Sequence, residues 1–140
     1  MMKSEITVYS DGGARGNPGP AASAFILFKD GNEMSRRSKF IGVTTNNVAE
    51  YYAVLLAINY IYKNNLFKDV EKIIFNLDSE LVVKQLGGNF RIKNIKLKKL
   101  AEEIKSIERS IGKNIEYKHI PRTMNKIADS EVNIRLDENR

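Results

Sequence analysis

The chain has 140 residues, 42% of them hydrophobic and 29% charged, enough to bury one core without staples. It has no cysteine and one histidine, which excludes disulfides, thiolate zinc sites, cysteine nucleophiles and histidine metal clusters, so a bound metal would take oxygen ligands, as magnesium, manganese and calcium do. The formal net charge of +6 favours polyanions, nucleic acid first, and no apolar run has signal or membrane-spanning length, so one cytoplasmic, monomeric domain over 1–140 is expected.

In chain order, Ile6 and Val8 alternate with Thr7 and Tyr9, the pattern of a strand with two different faces. Asp11 closes that strand ahead of a glycine-rich stretch, 12–19, whose bare N–H groups admit a bulky partner. Asp-Gly and Asn-Pro-Gly also form ordinary turns, and no Gly-Lys-Ser/Thr follows to make a phosphate loop. Residues 21–28 form a second strand, 29–32 a turn of the Asp-Gly kind and 33–43 a third strand; the short links make an antiparallel meander. Thr44, Thr45, Asn46 and Asn47 offer caps for a helix over 48–62, apolar almost all round and therefore buried, with Glu50 in its first turn.

Residues 72–77 suit a buried parallel strand, closed by Asp78. Ser79 can cap a helix over 80–86, which Gly87 and Gly88 stop. Leu97, Leu100, Ile104, Ile107 and Ile111 mark a one-sided amphipathic helix ended by Gly112. A last strand covers 114–120, and Thr123 can cap a final helix from Asn125 to about Leu136 with Asp129 in its first turns. The order β-β-β-α-β-α-α-β-α gives a mixed α/β sheet with helices on its faces, its working end off the carboxyl ends of the parallel strands.

Four acids fall at one kind of place. Asp11 and Asp78 each end a strand, Glu50 opens the buried helix and Asp129 opens the last one. Carboxylates packed together repel, so such a cluster needs a cation. Two magnesium ions roughly 4 Å apart can clamp an in-line displacement at phosphorus. Taken singly, Asp78, Glu50 and Asp129 also suit acids placed near helix N-termini by the dipole.

The segments Tyr-Ser-Asp11-Gly-Gly-Ala-Arg-Gly-Asn-Pro-Gly, Thr44-Thr-Asn-Asn-Val-Ala-Glu50-Tyr, Leu77-Asp78-Ser79 and His119-Ile-Pro-Arg-Thr-Met-Asn125-Lys-Ile-Ala-Asp129 resemble type 1 ribonuclease H in order and spacing, over nearly the whole chain. The resemblance implies the ribonuclease H-like fold, a five-stranded mixed sheet of order 3-2-1-4-5 with helices on both faces. It implies hydrolysis of the RNA strand of RNA–DNA hybrids with two Mg2+ or Mn2+ ions per site, leaving 5′-phosphate and 3′-hydroxyl ends. The family's catalytic and metal-binding acids carry over to Asp11, Glu50, Asp78 and Asp129. Hybrid contacts carry over to Gly12, Gly13, Arg15, Gly16, Asn17, Asn47, Ser79 and Glu80. Reading 2′-hydroxyls is what separates RNA from DNA at such a site.

The chain also departs from the family. The basic helix and loop that some members insert is missing, its place filled by residues 87–94; Lys93, Lys96, Lys98 and Lys99 follow as candidate phosphate contacts or as a solvated helix face. No separate hybrid-binding module is expected ahead of the domain. Glu80 stands where many members have glutamine, and Glu131 where an apolar residue is usual. The loop 121–126 holds no histidine, and His119, at a strand end, reads as structural. A related nuclease acting on duplex RNA or branched DNA, and a non-catalytic nucleic-acid-binding domain of the same fold, are the competing readings; a purely structural basic domain leaves the four acids unexplained.

Overall fold

The computed structural model describes residues 4–88 and 91–139. Its elements are β1 (Glu5–Ala14), β2 (Gly19–Lys29), β3 (Asn32–Thr44), α1 (Asn46–Lys63), β4 (Lys72–Leu77), α2 (Glu80–Leu86), α3 (Ile95–Ile111), β5 (Asn114–His119), a single 3-10 turn (Arg122–Met124) and α4 (Lys126–Glu138). The sheet order is β3-β2-β1-β4-β5, the 3-2-1-4-5 order implied by the resemblance. Of the connection over 87–94, which fills the place of the missing insertion, Asn89 and Phe90 lie outside the described residues.

The meander pairs antiparallel, Ile6 with Lys29 through Ala14 with Ala21, and Gly19 with Thr44 through Lys29 with Asn32. The chain then crosses over twice, and β4 and β5 join parallel, Glu5 opposite Lys72 and Leu77 opposite His119. Alternation along β1 and β2 sends Ile6, Val8, Phe25 and Leu27 to one face, where they pack with Tyr51, Val54, Ile58 and Ile61 of α1 and Leu97 and Ile104 of α3. On the opposite face Ala22, Ala24 and Phe40 pack against Val132 and Leu136 of α4. Burial on nearly every side is why α1 reads apolar all round. α3, covered on one side, shows a stripe and ends at Gly112, whose φ of 67° is left-handed.

Four local expectations are corrected. β1 does not end at Asp11; on its β2 side pairing continues to Ala14, so Gly12 and Gly13 are strand residues. The reason is packing: a Cβ on Gly12 would lie 2.1 Å from the carbonyl carbon and oxygen of Ala49, so only glycine lets α1 cross the strand there. α1 begins at Asn46 under a Thr45 cap, which places Glu50 in its second turn rather than its first. Thr123 does not cap α4; it sits in the 3-10 turn, and Asn125 precedes the helix with no side-chain capping bond. β5 ends at His119, one residue short, although the Ile120 N–H still donates to the Leu77 carbonyl at 2.8 Å.

Candidate active site

β1 and β4 run parallel up to Tyr9 opposite Asn76. Two residues further along each strand come Asp11 and Asp78, so the register delivers both carboxylates to the same sheet end. α1 adds Glu50 from above. Gly12 lets the helix backbone approach, and the Ser23 hydroxyl, donating to the Ala49 carbonyl at 2.7 Å, ties β2 to the residue before Glu50. As a result one ligand oxygen each from Asp11, Glu50 and Asp78 lies within 4.8 Å of the others. Asp129, in the first turn of α4, lines the same cleft of about 290 Å³ but stands outside that close triad.

The electrostatics are those of an unneutralised cluster. Burial first, and then the charge of Asp78, push the Asp11 carboxyl up to about 7. Burial, followed by the charges of Asp11 and Asp78, raises Glu50 well above the usual carboxylate range, with Arg122 pulling the other way. Glu50 Oε2 is buried without a hydrogen-bond partner among the described residues, and no lysine or arginine among them forms an ion pair with the triad. Three converging carboxylates, together with a buried Glu50 oxygen that has no hydrogen-bond partner among the described residues, fit a hard divalent cation held by oxygen ligands.

The remaining sequence candidates surround this centre. Gly12 is buried and Gly13 half-buried at the cleft wall, while Arg15, Gly16 and Asn17 are exposed at the β1–β2 turn. The turn is tied to the start of α1: the Ala14 N–H donates to Asn46 Oδ1 at 2.8 Å, and the Asn46 N–H to Asn17 Oδ1 at 2.9 Å. Arg15 reaches α4, pairing with Asp137 at 2.8 Å. Asn47 is exposed at the helix start. Ser79 caps α2, its hydroxyl accepting from the Val82 N–H, and exposed Glu80 pairs with Lys84 at 2.7 Å.

Glu131 gains a physical account: its carboxylate meets Arg36 of β3 at 3.1 Å, fastening α4 to the meander. His119 is exposed at the end of β5. Sequence reasoning missed Arg122, Asn46 and Asn133, all lining the acid cleft. The signal for Arg122 was its place in the Pro-Arg-Thr-Met-Asn segment that precedes Asp129; Asn46 was read only as a possible cap.

A mixed sheet of order 3-2-1-4-5 with acids from two parallel strands and the crossing helix converging at its end defines the class of ribonuclease H-like folds. The family profile described as reverse transcriptase-like matches residues 9–134. The chain is 38% identical to LC11-RNase H1, solved in complex with an RNA/DNA hybrid, with a TM-score of 0.89 over 96% of this chain and 98% of that one. It is 35% identical over 135 residues to ribonuclease HI of Halobacterium salinarum, covering 95% of this chain and 65% of the relative. The bifunctional protein Rv2228c of Mycobacterium tuberculosis is 34% identical over 95% of this chain, which spans 36% of that relative's length. The chain belongs to the type 1 ribonuclease H family.

Proposed function

We propose that this chain hydrolyses the RNA strand of RNA–DNA hybrids, water adding at phosphorus and the 3′-oxygen leaving, so that 5′-phosphate and 3′-hydroxyl ends result. The observation that carries the reading is the convergence of Asp11, Glu50 and Asp78 oxygens within 4.8 Å, with a buried Glu50 oxygen that has no hydrogen-bond partner among the described residues. The likeness to LC11-RNase H1, solved with a hybrid, supports the substrate. Asp11, Glu50 and Asp78 would hold Mg2+ or Mn2+, with Asp129 completing a two-ion site from the cleft wall. Bound there, divalent ions supply Lewis-acid polarisation of the phosphate and ready ionisation of the attacking water.

The chain's own residues do the rest. The stiff parallel strands fix Asp11 and Asp78, and the β1–β2 turn with Gly13, Arg15, Gly16 and Asn17 offers the hybrid a polar ledge beside Asn47. Ser79 and Glu80, which follow Asp78 in the chain, would add contacts to the hybrid, and Gly12 serves by letting α1 bring Glu50 in. Among the described residues no helix is long and apolar enough to cross a membrane; a monomer acting in the cytoplasm is part of the same proposal. The test is cleavage of matched RNA–DNA, RNA–RNA and DNA–DNA duplexes in magnesium, with and without chelator. Chelator-sensitive cutting of the hybrid's RNA strand alone is expected; equal cutting of duplex RNA, or none of the hybrid, overturns the reading.

A further inference from the structure

One edge of the sheet carries a second feature. β3 is one of its two edge strands, and Arg37 and Lys39, two residues apart, share one face of β3. Arg37 pairs with Phe25, whose side chain belongs to the core beneath α1, so this face looks toward α1. On α1, Tyr52, Leu56, Tyr60 and Lys63 recur at helical spacing and form the facing stripe. Between strand and helix lie two clefts of about 300 and 260 Å³. Lys39 lines one and Tyr52 the other, and the Lys39 ammonium donates to the Tyr52 hydroxyl at 3.1 Å where the two meet.

The groove has an apolar floor and a cationic rim. The rings of Phe25 and Tyr60 lie 5.6 Å apart in its base, beside Leu56. The Arg37 guanidinium sits 5.3 Å from the Tyr60 ring centroid, and the Lys39 ammonium 5.5 Å from that of Tyr52. Exposed Lys63 stands at one end, and Lys96 and Lys99 of α3 at the other. Among the described residues no Asp or Glu lines either cleft, and none of these five cations forms an ion pair. The neighbouring Arg36, on the opposite face of β3, is held by both Glu33 and Glu131. Arg37 donates to the Arg36 carbonyl and Lys39 to the Tyr52 hydroxyl, but the charge of the groove's cations is met by no carboxylate among the described residues.

A partner that matches this surface has flat apolar bodies strung on a chain of negative charge. Single-stranded nucleic acid has that form, with bases free to stack on rings and guanidinium planes; a duplex hides its bases. The Val48 end of the groove lies within one helical turn of Asn46, which lines the acid cleft, and from there the groove follows α1 for about 20 Å. We propose that the β3–α1 groove binds the single strand that continues beyond a hybrid held at the acid cleft. The inference rests on the hybrid-cleaving reading for the duplex that carries the tail, and gives the protein a preference for hybrids next to unpaired strand.

The test measures binding of an Asp78→Asn protein, which holds the hybrid without cutting it, to a blunt RNA–DNA hybrid, the same hybrid with a single-stranded DNA tail, and oligothymidine alone. The comparison variant carries Arg37→Glu and Lys63→Glu as well, both at exposed positions, with the thermal midpoint confirming the fold. The tail is expected to tighten binding in the parent and not in the variant, with blunt binding equal in both. The salt dependence of the tail's contribution should flatten by about 0.7 for each phosphate that the variant no longer neutralises. No gain from the tail in the parent, or an equal loss on blunt and tailed hybrid, overturns the groove. If blunt hybrid does not bind at all, the hybrid reading fails instead, and oligothymidine binding that survives the double substitution overturns the groove on its own.

Discussion

The side-chain amide of Asn125 donates to the backbone carbonyl of Ser10 at 2.9 Å, joining residues 115 positions apart in a buried contact. Ser10 immediately precedes Asp11, and the Asp129 N–H donates to the Asn125 carbonyl at 3.1 Å. One asparagine thus fastens the start of α4, and with it Asp129, to the strand that carries Asp11. Asn125→Ala should cost about 1–3 kcal/mol, the penalty of a buried carbonyl left without its donor. Asn125→Asp should cost more, because it sets a second acceptor against the Ser10 oxygen. Urea midpoints rank the three proteins. Turnover at saturating magnesium should fall in the same order, since Asp129 loses its anchor; unchanged turnover in both variants would show that α4 keeps its place without the bond.

The acid cluster makes stability depend on pH in a direction opposite to that of a paired carboxylate. Asp11 titrates near 7 in the fold against 3.8 ordinarily, so the folded state holds a proton that the unfolded chain has already released. The favourable contribution is therefore complete at acid pH and is lost as pH rises from about 4 through about 7. Glu50, shifted the same way, adds to it. The metal-free protein should be less stable at pH 8 than at pH 5, by on the order of a few kcal/mol for groups this buried. Magnesium should recover most of the loss at pH 8 and little at pH 5, where protons compete. Asp11→Asn should stabilise the metal-free protein at pH 8 while removing metal-dependent cleavage. Denaturant midpoints at both pH values, with magnesium and with chelator, check each arm.

At Gly12 the margin is steric. A methyl there would stand 2.1 Å from Ala49 backbone atoms and 2.5 Å from the Glu50 nitrogen. Backbone cannot swing aside as a side-chain tip can, so Gly12→Ala must push α1 off the sheet. The cost should reach or exceed the upper end of the roughly 1–3 kcal/mol typical of overpacking, and Glu50 should lose its place in the triad. Gly13→Ala is the control for stability, because its Cβ would meet Val132 Cγ1 at an ordinary 3.7 Å. Equal melting temperatures for the two variants would show that α1 yields without cost.

The same glycines show what sequence can and cannot reveal. β4 and α2 were legible to the residue, because a β-branched run, a serine cap and a Gly-Gly stop are local signals. The end of β1 was not: Asp-Gly-Gly is a turn signal read alone, and it is overruled by pairing with Ala22 and Ser23 across the meander. The four acids were legible as a set, yet only the β1–β4 register shows that Asp11 and Asp78 emerge level and that Asp129 stands a step back. Glu131 looked out of place in an otherwise apolar helix position because its partner, Arg36, is 95 residues away. The Arg37–Tyr60 and Lys39–Tyr52 contacts were hidden for the same reason: β3 and α1 each look ordinary until they lie side by side.

Arg122 and His119 are the two titratable or cationic side chains near the cleft whose roles differ most in expectation. Arg122 sits on the 3-10 turn between β5 and α4 and lines the acid cleft; its charge opposes the rise in Glu50's proton affinity. His119, one strand residue past Lys118, is exposed, does not line that cleft, and acts on Glu80 as a minor influence beside Lys84. A guanidinium beside a cluster of acids offers a cation to an incoming phosphodiester, which the carboxylates alone would repel. Arg122→Ala should therefore lower turnover on hybrid by about tenfold or more, short of the roughly 10²–10³ of a fully buried charge-stabilising donor. Arg122→Lys should restore part of it, since charge survives and the fork does not. His119→Ala should keep most of its turnover at saturating magnesium, and its rate should follow pH as the wild-type rate does. Single-turnover cleavage of one hybrid by the four proteins decides the matter. A loss beyond roughly a hundredfold in folded His119→Ala, the scale of a missing general acid–base group, with Arg122→Ala near wild type, would exchange the two roles.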